Sequence, residues 1–342
     1  MMLLNQQAGF FIPENLPTYN DAHHASGKFI NNDGDPIVPL GHLGLKIVPL
    51  VFKALFAEKD VTREMPHRNP KYDFNLGDGI RDWWIGHATN LIQIKDKFII
   101  TDPMFESSCS PLKMGLSRKT PAACKIEELP RISYVLISHN HYDHLNKGSV
   151  KKIKSFFPDC HFLVPLGNGS LLSKWGIIHY TEFDWRTHLN IEGINFTCFP
   201  ARHESARSLC NINKALWCSW LIEHENVKIY FTGDTAVGPH FAEIKETIGR
   251  GPDLMIAGIG PTVPRETMRV VHMDGKDAWD MAKAIGAAKL TPIHYGTFPL
   301  GRKTTKSDLD IFMEKAEAGK SLVINTGGRI DWNGSEFVVA DL

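Results

Sequence analysis

Hydrophobic and polar positions fall into two regimes along this chain. From about residue 80 onward, short apolar runs bounded by turn residues succeed one another, which is the pattern of strands. "LIQIKDKFII" reads as two short strands around Lys95-Asp96, and "SYVLIS" as another. "HFLVP", "INFTCF", "LWCSWLIE", "VKIYFTGDT" and "DLMIAGIG" follow, rich in the β-branched and aromatic residues that suit a pleated surface. A helical period appears instead in "KGSVKKIKSFF", "FAEIKETIG", "KDAWDMAKAIGAA" and "KSDLDIFMEKAEAG". The strand "KLTPIHYG" lies between the last two, and "SLVINTGG" with "EFVVA" closes the chain. Strands meeting helices in this mixed order predict an α/β sandwich with helices covering sheets.

Residues 1–75 have a different texture, irregular and rich in Asn, Asp, Pro and Gly, with "NNDGDP" marking a turn. Within them "PLVFKALFAEKD" predicts a short helix, with Pro49 in its first turn and Val51/Leu55 and Phe52/Phe56 at i,i+4 spacing. The expected organisation is an N-terminal extension over 1–75 packed on a single domain over 76–342. No repeat, low-complexity tract or long linker interrupts it.

The 342 residues are 43% hydrophobic and 22% charged, with 38 basic and 38 acidic side chains. A net charge near zero provides no global attraction for a nucleic-acid polyanion, so none is expected as a partner. Six cysteines occur singly, and the start "MMLLNQQAGFFIPENLP" lacks a basic n-region and a small-residue cleavage site. Reduced thiols in a cytoplasmic protein are the expectation. No apolar run approaches the ~20 residues of a membrane-spanning helix. Peripheral membrane contact and a homodimer are both compatible with the chain.

Chemistry concentrates in "ISHNHYDHLN", where His139, His141, Asp143 and His144 follow the strand "SYVLIS". In an extended segment His139 and His141 point the same way, and a turn after them could bring Asp143 and His144 alongside. Imidazoles and a carboxylate suit Zn²⁺ and are acceptable to Fe or Mn. Three further ligand-type residues end predicted strands: His203 in "FPARHES", Asp234 in "FTGDTA" beside Gly233, and His294 in "TPIHYG". A lone histidine at a strand end is ordinarily a hydrogen-bonded loop residue; together with the cluster the three read as a metal site.

The set "HNHYDH", His203, "GDT" and "PIHYG" resembles the metallo-β-lactamase superfamily, whose HxHxDH motif is its most specific signature. "SGKFINND", "WWIGHATNLIQI", "TDPMF", "LPRISYVLISHNHYDHLN", "FLVPLGN", "LWCSWLI", "FTGDT" and "PIHYGTF" look like the branch containing N-acylphosphatidylethanolamine-hydrolysing phospholipase D. That resemblance implies an αββα sandwich, with two divalent metal ions at one edge. His139, His141 and His203 would hold one ion; Asp143, His144 and His294 the other; Asp234 would bridge. Zinc is the expected metal, with iron or manganese as alternatives. His rather than Glu at position 141 looks like the hydrolytic members. The resemblance also implies catalytic parts for Asp143, Asp234 and His272, the last in "VVHMD", where a helix-capping loop role is the alternative.

Bound cations lower the pKa of water from roughly 15.7 to about 7, so a hydroxide bridging such a pair is available near neutral pH. No G-x-S-x-G elbow or G-x-x-x-x-G-K-[ST] loop offers another nucleophile or phosphate cradle. Asp102 in "TDPMF" is a candidate to fix a ligand histidine's tautomer, or to make a turn before Pro103. His87 in "WWIGHATN" reads as a core or a functional histidine. The expected reaction is hydrolysis of a phosphodiester, releasing an N-acylethanolamine and leaving phosphatidic acid. A lipid would need an apolar groove, for which "GLKIVPLVFKALF", Trp83, Trp84 and "GIGPTVP" are candidates. The stretch "ESARSLCNINKALWCSW" departs from the branch's pattern. A lactonase of the ascorbate-6-phosphate type, a small-molecule or nucleotide phosphodiesterase, and a non-catalytic metal-binding scaffold are the alternatives.

Overall fold

In the computed structural model, which describes residues 23–34, 77–110, 116–208, 210–301 and 306–340, two mixed sheets face each other with helices outside them, an αββα sandwich. The helix expected over residues 49–60 lies outside the described residues, as does most of the N-terminal extension. What is described of that extension contains a small hairpin, β1 (His24–Ala25) and β2 (Lys28–Phe29).

The first sheet takes β3 (Ile80–Gly86), β4 (Thr89–Ile94), β5 (Lys97–Thr101), β6 (Tyr134–Leu136), β7 (His161–Pro165) and β8 (Tyr180–Phe183) in sequence order. The second takes β9 (His188–Ile191), β10 (Ile194–Phe199), β11 (Ser219–His224), β12 (Val227–Phe231), β13 (Leu254–Gly258) and β14 (Lys289–Ile293), again in order. Finally β15 (Arg329–Trp332) and β16 (Phe337–Val339) return to the first sheet, beside β3. Each sheet begins antiparallel and turns parallel, from β5 to β8 and from β12 to β14.

Parallel neighbours need crossovers, and helices supply them. α1 (Lys147–Phe156) and α2 (Gly169–Lys174) serve the first sheet; α3 (His240–Ile248), α4 (Arg265–Met268) and α5 (Gly275–Ile285) serve the second. α6 (Asp308–Met313) packs on α5 and stops at Met313, short of the predicted helix. The carboxyl ends of the parallel strands therefore open on one edge, where open α/β sheets place their sites.

Alternation assigns the two faces. Trp84, Ile92, Leu136 and Leu163 point into the core between the sheets, while Trp83, Leu91, Val135 and Phe162 pack under Val150, Ile153 and Leu172 of α1 and α2. Strands buried on both faces explain the near-continuous apolar runs. Trp83 and Trp84 are thus core residues and line no groove; Trp84 stacks on Tyr295, with ring centroids 5.0 Å apart.

"SLVINTGG" does not make the expected strand. Leu322 N–H donates to the Leu290 carbonyl and Leu290 N–H to the Lys320 carbonyl, but a single bridge from Leu290 to Ser321 is all that forms. Leu322 and Ile324 still enter the inter-sheet core, and Gly327 turns the chain at φ +88° toward β15. Among the described residues the six cysteines are unpaired, and no helix is long and apolar enough to cross a membrane.

Candidate metal centre

Four loops bring the candidate ligands to the common edge. The loop after β6 carries His139, His141, Asp143 and His144; those after β10, β12 and β14 carry His203, Asp234 and His294. The first loop turns tightly, with His144 N–H and Leu145 N–H both donating to the His141 carbonyl. It ends at Asn146, whose side chain accepts from Ser149 N–H and caps α1. Gly233 precedes Asp234 at φ +55°, and a Cβ there would meet the Ser138 Cβ at 2.5 Å, so only glycine lets these loops touch.

The rings are anchored from behind. His139 Nδ1 lies 2.9 Å from Ser138 Oγ, and His144 Nδ1 lies 2.7 Å from Asp102 Oδ2. His203 Nδ1 and His294 Nδ1 each lie 2.8 Å from a carbonyl oxygen, of Val271 and Gly260 respectively. Each acceptor draws the ring proton outward and turns the Nε2 lone pair inward. Asp102 serves two of these rings, because Ser138 donates to it through Oγ at 2.6 Å and N–H at 2.7 Å. It fixes tautomers rather than a proline turn.

Inward, the nitrogens crowd. His141 Nδ1 is 2.9 Å from His139 Nε2 and 3.2 Å from His203 Nε2; His144 Nε2 and His294 Nε2 are 3.1 Å apart. Two groups carry the predicted ligands, His139, His141 and His203, and then His144, His294 and Asp143 joined by His87; His203, Asp234 and His272, and Asp102, His139 and His144, also lie within reach of one another. Between the first two groups stands Asp234, its Oδ2 3.1 Å and 3.3 Å from the Nε2 atoms of His144 and His294 and 3.9 Å from those of His139 and His203. Asp234 Oδ1 is buried with no partner among the described residues.

The electrostatics call for positive charge. Asp102, Asp143 and Asp234 form ion pairs only with histidines among the described residues. Burial alone would raise Asp143 and Asp234, yet the surrounding histidines hold both well below the usual carboxylate range. Burial keeps His139 and His203 well below the ordinary imidazole value, hence uncharged. At His144 the carboxylates of Asp234, Asp143 and Asp102 outweigh burial and lift the ring well above it. Bare nitrogens facing one another beside the carboxylates of Asp143 and Asp234, with Asp102 behind His144, fit a divalent cation, which would supply the charge that a proton otherwise must.

His272 stands at the rim, its Nδ1 3.7 Å from Asp234 Oδ2 and its ring 5.1 Å from that of His203. Burial pulls it down to about 4. Helix capping falls to Asp274, which accepts from Lys276 and Asp277 N–H at the start of α5. Two participants are not singled out by the sequence reading, although both lie in segments that carry the resemblance: Ser138, and Asn31 of the N-terminal segment. Asn31 donates to the His203 carbonyl at 3.0 Å and accepts from His203 N–H at 3.1 Å. Arg207, in the loop after His203, donates to the carbonyls of Asn140 and Leu145 at both ends of the ligand turn, and lies over the Tyr142 ring at 3.9 Å.

Comparison with known proteins identifies the family. The beta-lactamase superfamily domain profile matches residues 97–295. N-acyl-phosphatidylethanolamine-hydrolyzing phospholipase D 1 of Caenorhabditis elegans is 32% identical over 285 residues, covering 79% of this chain and 76% of its own. The mitochondrial protein of the same description from Saccharomyces cerevisiae is 32% identical over 223 residues, 64% of this chain and 47% of its own. A protein of Veillonella parvula described as a possible metal-dependent hydrolase shares the fold, with a TM-score of 0.61 at 17% identity over 74% of this chain and 100% of its own. With the αββα layers and a histidine–aspartate cluster suited to metal at their edge, the chain belongs to the metallo-β-lactamase superfamily and resembles its N-acylphosphatidylethanolamine-hydrolysing branch.

Proposed function

We propose that this protein is a two-metal phosphodiester hydrolase, with zinc as the cation and an N-acylphosphatidylethanolamine-type phospholipid as substrate. The observation that carries the reading is Asp234 Oδ2, a single carboxylate oxygen facing the inward nitrogens of both histidine groups. His139, His141 and His203 would hold one cation, Asp143, His144 and His294 the other, and Asp234 both. Such a pair, when bound, makes water nucleophilic near neutral pH and polarises a phosphoryl oxygen.

The chain's own residues do the remaining work. Asp102 and Ser138 hold the rings of His139 and His144 in register, so the donors need no rearrangement. Asp143, whose side chain is 14% exposed against 3% for Asp234, faces the mouth and would orient the attacking water. His272, uncharged near pH 7, would present a ring nitrogen to the scissile group from the rim. Water attacks phosphorus and the bond to the N-acylethanolamine oxygen breaks; a proton lost by the water passes to that oxygen, and phosphatidic acid remains. The substrate class is supported by the likeness to the nematode enzyme, and it entails peripheral contact with a membrane.

The test is metal quantification followed by a panel of phosphodiester lipids, sugar lactones and nucleotides on wild type and Asp234→Asn. The expected result is two zinc-class ions per chain and alcohol release from N-acylated phospholipids, lowered at least about 100-fold by the substitution. Lactone opening without lipid cleavage would replace the substrate assignment. Purified protein that takes up no metal would leave a scaffold.

A further inference from the structure

His87 differs from four of the other histidines of the cluster, His139, His144, His203 and His294. Its Nε2 lies 2.9 Å from Asp143 Oδ2, the oxygen that also faces His144 Nε2 and His294 Nε2 at 3.4 Å each. By distance alone it would be a fourth donor of that group. The far side of the ring says otherwise. His139, His144, His203 and His294 each direct Nδ1 at an oxygen acceptor, whereas His87 Nδ1 is buried with no partner among the described residues. Histidines that ligate metal almost always donate their other ring proton to an acceptor. A proton on His87 Nδ1 would be an orphaned buried donor, and would leave Nε2 and a carboxylate oxygen facing each other lone pair to lone pair. With the proton on Nε2, the same contact is a charge-assisted hydrogen bond.

The backbone is arranged to hold that ring in place. His87 adopts φ +58°, the left-handed region that costs a non-glycine residue energy and persists where the surroundings enforce it. Its N–H donates to Thr297 Oγ1 at 3.0 Å, and its carbonyl accepts from Trp84 Nε1 at 2.9 Å and His294 N–H at 3.0 Å. The ring lies 4.1 Å from that of His294 and edge-on to Phe298 at 5.0 Å. One residue thereby touches two of the three donors of this half, Asp143 through its ring and His294 through its carbonyl.

We propose that His87 is a positioning residue, an Nε2–H donor that sets the carboxylate of Asp143 for the cation held with His144 and His294. This rests on the two-metal reading above, and the test separates the two. His87→Asn tolerates the left-handed backbone but its amide is too short to reach Asp143; His87→Gln places an amide donor near the Nε2 position. In zinc titrations of the full chain, the Asn variant is expected to bind its second ion about 10- to 100-fold more weakly than wild type, with the first unchanged, and Gln to recover most of the loss. Unchanged second-site affinity in the Asn variant overturns the role. Gln no better than Asn overturns it too, since a ligand would show that pattern. Wild type with a single ion, or none, sinks the two-metal reading itself. Should the Asn variant fail to fold, long-range ¹H–¹⁵N spectra of zinc-loaded wild type decide: a protonated Nε2 on His87 supports the proposal, and a bare Nε2 overturns it.

Discussion

Asp82 carries a buried carboxyl that among the described residues pairs with no lysine or arginine. On β3 it faces the core between the sheets, and Asn90 Nδ2 donates to both of its oxygens at 2.9 Å. Desolvation outweighs that support and pushes the group up to about 7 from an ordinary 3.8. Between those values the unfolded chain has released this proton while the folded chain still holds it, so stability falls as pH rises through that window. The full shift corresponds to about 4 kcal/mol. Asp82→Asn keeps the acceptor for Asn90 and adds a donor for Asn90 Oδ1, which is buried without a partner among the described residues. Urea denaturation should find the variant close to wild type near pH 4.5 and more stable by about 2–4 kcal/mol at pH 8. A difference that does not change with pH would rule out a proton held by Asp82 as its cause. No spacing in the sequence marks Asp82 or Ser138, because their roles come from neighbours distant along the chain. His139, Asp234 and their fellows are visible as ligand-type residues at strand ends. His87 is visible as a type, but only the fold shows which atom it faces.

Among the elements, the short hairpin β1–β2 does more than its size suggests. Just beyond it the Asn31 side chain makes three hydrogen bonds, two with the backbone of His203 and one accepted from Trp217 Nε1 at 3.0 Å. Phe29 N–H adds another to the Asn213 carbonyl at 2.8 Å. The N-terminal segment thus braces the loop that carries a proposed ligand, as Arg207 braces the other. Asn31→Ala strands buried polar groups and should cost about 2–3 kcal/mol in denaturant unfolding, with weaker zinc binding at the His139–His141–His203 group. Stability within about 0.5 kcal/mol of wild type and unchanged zinc affinity would make the hairpin a passive cover. The elements legible in sequence are the buried ones, such as β7 and β13, whose apolar runs are nearly continuous. β8 ("YTEF") and β9 ("HLNI") are partly exposed at the ends of their sheets and show too little apolar pattern to be read. β3 is legible only at its "WWIG" end, just before His87, because Arg81 and Asp82 interrupt the apolar run of a strand whose partners lie on both sides.

At the scale of the whole molecule, the order of strands and helices is enough for the fold class, whereas the return of β15 and β16 beside β3 joins the two ends of the domain and has no local signal. The same long-range assembly gives the site a structural consequence. His139, His141, Asp143 and His144 follow a strand of the first sheet; His203, Asp234 and His294 follow strands of the second. Each proposed cation would draw donors from both, and so would tie the two layers together at their open edge. A ligand that binds only the assembled edge stabilises the folded state by mass action, by about 2.7 kcal/mol at a hundredfold excess over its Kd. For a domain of this size that corresponds to a Tm shift of about 5 °C or more. Treatment with a chelator should lower the melting temperature by that order, added zinc should restore it, and Asp234→Asn should lose most of the response. Coincident melts of chelated and zinc-supplied wild type would mean that the sheets hold their edge without a cation. The three carboxylates would then have to be neutralised by protons on histidines such as His144, and the site would be built for something other than metal.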